Sequence, residues 1–166
     1  MWRFALVFVA VLACLFGFEM LHPVRTAVIH PWTNLLAQIS ATIMSTVDAD
    51  VFSHGRVIQS RATGFGVSIE AGCNGVEAVI ILVAGVLAFP APWRFKVAGI
   101  LIGFVAIQGV NLLRVISLYY LAQWNKDVFD FAHIYLWQAL IMLDVLVVWM
   151  LWIRVVAKHK GATLAA

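Results

Sequence analysis

Residues 97–121 read VAGILIGFVAIQGVNLLRVISLYYL: twenty-five residues carrying one charge, Arg114, in the last third. A helix of about 20 apolar residues crosses a bilayer core at about 1.5 Å rise per residue, so this run is long enough to span. An arginine at that depth costs about 2.5 to 3.5 kcal/mol even on the lenient insertion scale, so Arg114 must snorkel outward or lie in a polar interior. Gln108, Asn111 and Ser117 flank it at three-residue steps. They make a polar stripe along one helix face, which has to turn toward other helices rather than toward lipid.

The rest of the chain supplies those helices. Of the 166 residues, 64% are hydrophobic and 11% charged, against about 25% charged in a soluble domain. Three further apolar runs qualify as spans, at about 4–21, 74–90 and 134–156. The 74–90 run is short. It reaches membrane thickness only if Cys73 to Gly75, or residues past Pro90, extend it. The expected architecture is an all-α integral membrane protein in one domain, residues 1–166: a four-helix transmembrane bundle with an extracytoplasmic insert at 22–72. At the start of the chain, MWRFALVFVAVLAC resembles a lipoprotein signal ending at Cys14. The apolar run continues unbroken through Leu15, Phe16 and Phe18, so Cys14 is read as a small buried hydrophobe.

Charge placement gives the orientation. With the N-terminus inside, the cytoplasmic pieces hold Arg3, Arg94, Lys96, Arg154, Lys158 and Lys160 and no acid. The outer pieces mix Arg25, Arg56, Arg61 and Lys126 with Glu19, Asp48, Asp50, Glu70, Asp127 and Asp130. Both termini are therefore expected in the cytoplasm. The net charge of +3 sits at segment ends, where positive-inside residues belong, and excludes a nucleic-acid surface.

Within the insert, Pro31 to Val47 has no charge, and Leu35, Ile39, Ile43 and Val47 recur every four residues. This spacing predicts an amphipathic helix in the outer interface. A spanning helix is the alternative, and the acid-free loop Pro90 to Lys96 argues against the inversion it would impose. In GRVIQSRATGFGVSIEAG the period changes to two, and RATG divides two short runs, which predicts a short β-hairpin. Its edge would either cover helix ends or pair with an extended peptide.

This topology brings three chemically capable residues to the outer side. Cys73 lies in AGCNG at the mouth of the second span, Arg114 in the third on its way out, and His133 at the start of the fourth. A disulfide to Cys14 is not expected, because Cys14 lies inside the first span. The small neighbours of Cys73 leave the sulfur approachable. The helix start, Arg114 and protonated His133 are expected to lower the thiol pKa toward neutrality, giving the thiolate that nucleophilic catalysis needs. Glu77 would orient His133 or Arg114, or act as a helix-end acid. His133 opens a helix whose face continues through Trp137, Leu140 and Asp144. His22, His30, His54, His133 and His159 share no ligand spacing, so no metal or other cofactor is expected.

At GCNGVEA around Cys73, NLLRVISLYYL around Arg114 and FAHIYLWQ around His133, the chain resembles the exosortase and archaeosortase family of membrane transpeptidases. Its small size is similar to the compact subgroup called exosortase H. The resemblance implies a cysteine-dependent transpeptidase in the bacterial inner membrane, with Cys73 as nucleophile, Arg114 as oxyanion or thiolate stabiliser and His133 as general acid and base. Asn74, Asn111 and Glu77 are expected to support them. It implies as partners exported proteins carrying a C-terminal signal of short motif, apolar helix and basic tail, of IPTL type for this subgroup, along with membrane lipid and an acceptor nucleophile. The competing reading is a non-catalytic scaffold or transporter subunit in which Arg114, Asp144 and Glu77 form a buried ion network. A thiol oxidoreductase is disfavoured by the lack of a resolving cysteine at the depth of Cys73.

Overall fold

The computed structural model describes residues 2–164, with side chains through residue 159. Helix α1 (Trp2–Glu19) is followed by a short α2 (His22–Val24), a π-helical turn (Arg25–Ile29) and α3 (His30–Ser45). Three strands, β1 (Val51–His54), β2 (Val57–Ser60) and β3 (Gly66–Ser68), lead to α4 (Val76–Ala88) and the 32-residue α5 (Trp93–Trp124). The chain ends in α6 (Lys126–Phe131), a π-helical turn (Ala132–Leu136) and α7 (Trp137–Leu164). α5 stops where Asn125 turns extended, and the Asn125 side chain accepts from Asp127 N at 2.9 Å and Val128 N at 3.2 Å to cap α6.

Among the described residues, three helices are long and apolar enough to cross a membrane: Trp2–Glu19, Trp93–Trp124 and the continuous stretch Lys126–His159. The expected span at 74–90 is shorter than predicted. Gly75 is left-handed (φ +74°) and Phe89 is extended, so α4 holds 13 residues, about 20 Å. It packs against α1, α5 and α7, at the centre of the long helices.

The polar-to-apolar pattern of α5 divides the molecule into two cores. Leu82, Val86, Ile107, Ile141, Val145 and Trp152 close the bundle. Toward the other end of α5, Val115 and Tyr119 meet Leu36, Ala41 and Met44 of α3 and Val51, Ile58 and Ile69 of the strand region. The insert is thus seated on the C-terminal half of α5.

Some expectations are corrected here, and others gain detail. The predicted hairpin is β2–β3, but β1 adds a third strand, giving an antiparallel sheet in the order β1-β2-β3. The Leu35, Ile39, Ile43 and Val47 stripe of the α3 region faces outward, while Thr33, Leu36, Ala37, Ser40, Ala41 and Met44 are buried. On that inner face Leu36 and Met44 fill the core, and the small Thr33, Ala37, Ser40 and Ala41 lie between them. Cys14 is exposed rather than buried, because no residue of α1 is buried. The fourth span starts earlier than 134 because α6 runs into α7 without a break. Leu140 points outward and Ile141 is buried, a phase change that follows the wider π-helical turn.

Candidate functional site

The loop Glu70–Gly75 is shaped by two glycines that no other residue replaces without strain, Gly72 (φ +84°) and Gly75 (φ +74°). Cys73 N donates to Glu70 O at 3.0 Å, closing a turn. Gly72 N donates to Glu77 Oε1 at 2.7 Å, so the first-turn acid of α4 clamps the loop. Glu77 therefore holds the Cys73 loop from the first turn of α4, the helix-end alternative, and its hydrogen bond goes to Gly72 N rather than to His133 or Arg114. Asn74 is buried: its Oδ1 accepts from Val76 N at 3.1 Å and its Nδ2 donates to Thr33 Oγ1 at 3.2 Å. Trp32 Nε1 donates to Asn74 O at 3.1 Å. The loop is tied at one end to α4 and in its middle to α3.

Cys73, Arg114 and His133 converge, from the loop and two different helices. Cys73 Sγ lies 3.1 Å from His133 Nε2. With the proton on Nδ1, the thiol donates to Nε2. Arg114 is 3% exposed; it donates through Nη1 to Gly72 O at 3.3 Å and through Nη2 to Cys73 Sγ at 3.6 Å. Phe129, one turn before His133, stacks on its ring with centroids 5.4 Å apart and planes within 14°. His133 itself lies in the π-helical turn Ala132–Leu136. The three residues open onto a cavity of about 100 Å³ that is also lined by Val67, Ser68 and Ile69 of the β3 segment.

The polar stripe of α5 is buried as its spacing predicts, with Asn111 and Gln108 about one and two turns below Arg114. Asn111 Nδ2 donates to Gln108 Oε1 at 3.4 Å. Among the described residues no hydrogen bond joins Asn111 to Cys73 or His133; with Gln108 it lies under Gly75, where a Cβ would meet Gln108 Nε2 at 2.8 Å and Asn111 Cγ at 3.2 Å. Gln108 Nε2, Asn111 Oδ1 and Arg114 Nε are buried without a protein partner. Among the described residues, no ion pair joins Arg114 to Glu77 or Asp144, and Asp144 Oδ2 has no hydrogen-bond partner. The ion network of the scaffold reading does not form.

The electrostatics correct a second expectation. Burial pushes the Cys73 thiol above its ordinary value of 9.0; Arg114 opposes this, while Glu77 and Glu70 add to it. Burial therefore outweighs Arg114, and the resting sulfur is held as the thiol.

Sequence patterns did not disclose Trp32, Thr33 or the Gly72 carbonyl as parts of this site, because their partners lie about 40 residues away. Phe129 had a local signal, an aromatic ring four residues before a helical histidine. No group of three or more metal-ligating side chains occurs among the described residues.

No curated relative and no solved structure matches the chain. The transmembrane exosortase family model matches residues 1–155, nearly the whole length, and the chain belongs to that family.

Proposed function

We propose that this exosortase is a cysteine transpeptidase that cleaves C-terminal sorting signals and passes the product to an acceptor nucleophile. Family membership supports a membrane transpeptidase. The observation that carries the finer reading is the 3.1 Å approach of Cys73 Sγ to His133 Nε2 with the Arg114 guanidinium 3.6 Å from the same sulfur.

His133 Nε2 takes the thiol proton as Cys73 Sγ attacks the scissile carbonyl. The S–C bond forms, and the carbonyl oxygen becomes an oxyanion beside Arg114, whose planar fork donates to it in a largely dry site. Collapse breaks the C–N bond, and His133 returns its proton to the leaving amine, which departs with the signal's apolar helix. The acceptor then gives its proton to His133 and attacks the thioester, and Cys73 leaves as thiolate and regains the proton. A protonated resting thiol fits this sequence: the histidine activates it at the moment of attack, and no standing ion pair is required.

The site faces the periplasm in this reading, with both termini cytoplasmic, since Arg3, Arg94, Lys96 and Arg154 lie toward the opposite ends of their helices. The outward apolar stripe of α3 then rests on the outer leaflet. The partners are exported proteins whose motif sits at that surface above an apolar helix and basic tail, of IPTL type if the compact subgroup applies.

The test is processing of an exported reporter carrying such a signal in cells expressing Cys73→Ala. Processing falls by at least about 10³-fold while the chain still inserts. A Cys73→Ala variant that processes normally would return the protein to the scaffold reading.

A further inference from the structure

One wall of the cavity is a sheet edge, and its register assigns which backbone groups are free. Ile69 N donates to Arg56 O at 3.0 Å and Ser60 N to Phe65 O at 2.9 Å. With Val57 opposite Ser68 and Gln59 opposite Gly66, residues 65, 67 and 69 direct their backbone groups at β2. Gly66 and Ser68 direct theirs away, and β3 is the last strand of the sheet. Both residues are exposed. An unpaired edge of this kind is a template for another strand unless something covers it.

The edge is continuous with the site. Val67, Ser68 and Ile69 line the same cavity as Cys73 and His133, and two residues after Ser68 the chain enters the turn that presents the sulfur. The cavity surface is mostly apolar, so a bound backbone there needs its polar groups paired. The Ser68 side chain is already engaged, donating to Glu70 Oε1 at 2.8 Å. What remains for a ligand is main chain, the group that recognises an extended peptide irrespective of its side chains.

Resting on the transpeptidase reading, we propose that the segment of the substrate preceding the cut binds as a fourth strand on β3, hydrogen-bonded to the backbone of Gly66 and Ser68, which delivers its scissile carbonyl to Cys73. The added strand runs in the direction of β3, because its C-terminal continuation must reach the bundle end where β3 itself leads. Side chains on one face of the added strand meet the cavity, and those on the other face meet solvent, so specificity at the motif alternates.

The test uses the full chain in cells with an exported reporter carrying an IPTL-type C-terminal signal. Ser68→Pro removes one outward donor without touching a β2 pairing, and lowers processing at least tenfold at equal amounts of inserted protein. Ser53→Pro makes the same change on the far edge of the sheet, where β1 pairs Ser53 opposite Ile58, and stays within about twofold of the parent. Proline scanning of the reporter upstream of the cut, with the enzyme unchanged, gives losses at alternate positions. Uniform tolerance of proline there, or normal processing by Ser68→Pro, overturns edge pairing. Cys73→Ala separates the two claims: if it is inactive while Ser68→Pro is normal, only the docking mode falls, and if it is active the transpeptidase reading falls first.

Discussion

The two halves of α5 are one helix put to two uses. In the N-terminal half the residues facing the bundle are glycines: a Cβ on Gly99 would strike the Trp152 indole and one on Gly103 would strike Leu82. Backbone and large side chain are in contact there, and Trp152 Nε1 donates to Phe95 O at 2.8 Å. This is how helices associate where burial of apolar surface from water gives no drive. In the C-terminal half the same face carries Gln108, Asn111 and Arg114, all buried and each with an unpaired atom. The first half is held by close packing and one indole hydrogen bond. The second holds unmet hydrogen-bonding capacity beside a sulfur and an imidazole, and buried capacity of that kind is what a site retains for a reacting group.

If this division holds, substitutions in the two halves separate activity from stability. Arg114→Lys keeps the charge but loses the fork that reaches Gly72 O and Cys73 Sγ together; reporter processing drops by about 10² to 10³, with the amount of inserted protein unchanged. Near-normal processing by this variant would remove Arg114 from the oxyanion role. Gly103→Leu does the reverse. Overpacking against Leu82 costs about 1 to 3 kcal/mol, read as a lower thermal midpoint in detergent, while processing per folded molecule stays within about twofold.

Gly75 joins the polar half of α5 to the Cys73 loop, since its left-handed backbone lies on Gln108 and turns the chain from Cys73 into α4. Gly75→Ala adds about 1 to 2 kcal/mol of backbone strain as well as a clash with the Gln108 amide, and slows processing about tenfold. Combining it with Gln108→Ala restores only the steric part, so the double variant is better than Gly75→Ala and worse than the parent. Full recovery would show that the left-handed turn does not matter.

The smallest effect is on the pH dependence of alkylation at Cys73. Burial raises the thiol above 9.0, so its labelling rate climbs with pH through a midpoint above that of an ordinary cysteine. Glu70→Gln removes one of the raising charges and moves the midpoint slightly down; Arg114→Gln removes the opposing cation and moves it up. A midpoint near neutrality would mean that a thiolate is present at rest. The same shift links to stability: a raised thiol favours the fold below the ordinary cysteine value, and that contribution is lost as pH rises through the folded one.

What could be read from sequence follows the range of the physics involved. The apolar length of α1, α5 and α7 is a local property and was legible, as was the inward turn of the α5 stripe, since Arg114 in hydrocarbon leaves few alternatives. Cys73, Arg114 and His133 were legible as types, and their common side followed from counting spans. The bounds of α4 were not, because they depend on a positive φ at Gly75 and an extended Phe89. β1 was missed: VFSH is four residues long and acquires its partner only through the register with β2. The inner face of α3 was hidden for a related reason. Its large residues mark the outward stripe, whereas Thr33 and Ala37 are chosen by what they approach across the fold. The direction of the thiol's pKa is not legible, because it is set by burial, which is not a sequence quantity.

The account stands on Cys73 becoming acylated. With the wild-type chain and a signal-bearing exported reporter, mass spectrometry of the trapped enzyme should find the reporter's new C-terminal acyl group on the Cys73 peptide, removable by hydroxylamine and lost in Cys73→Ala. Signal cleavage that continues in Cys73→Ala, or an acyl group carried on any other residue, would contradict it.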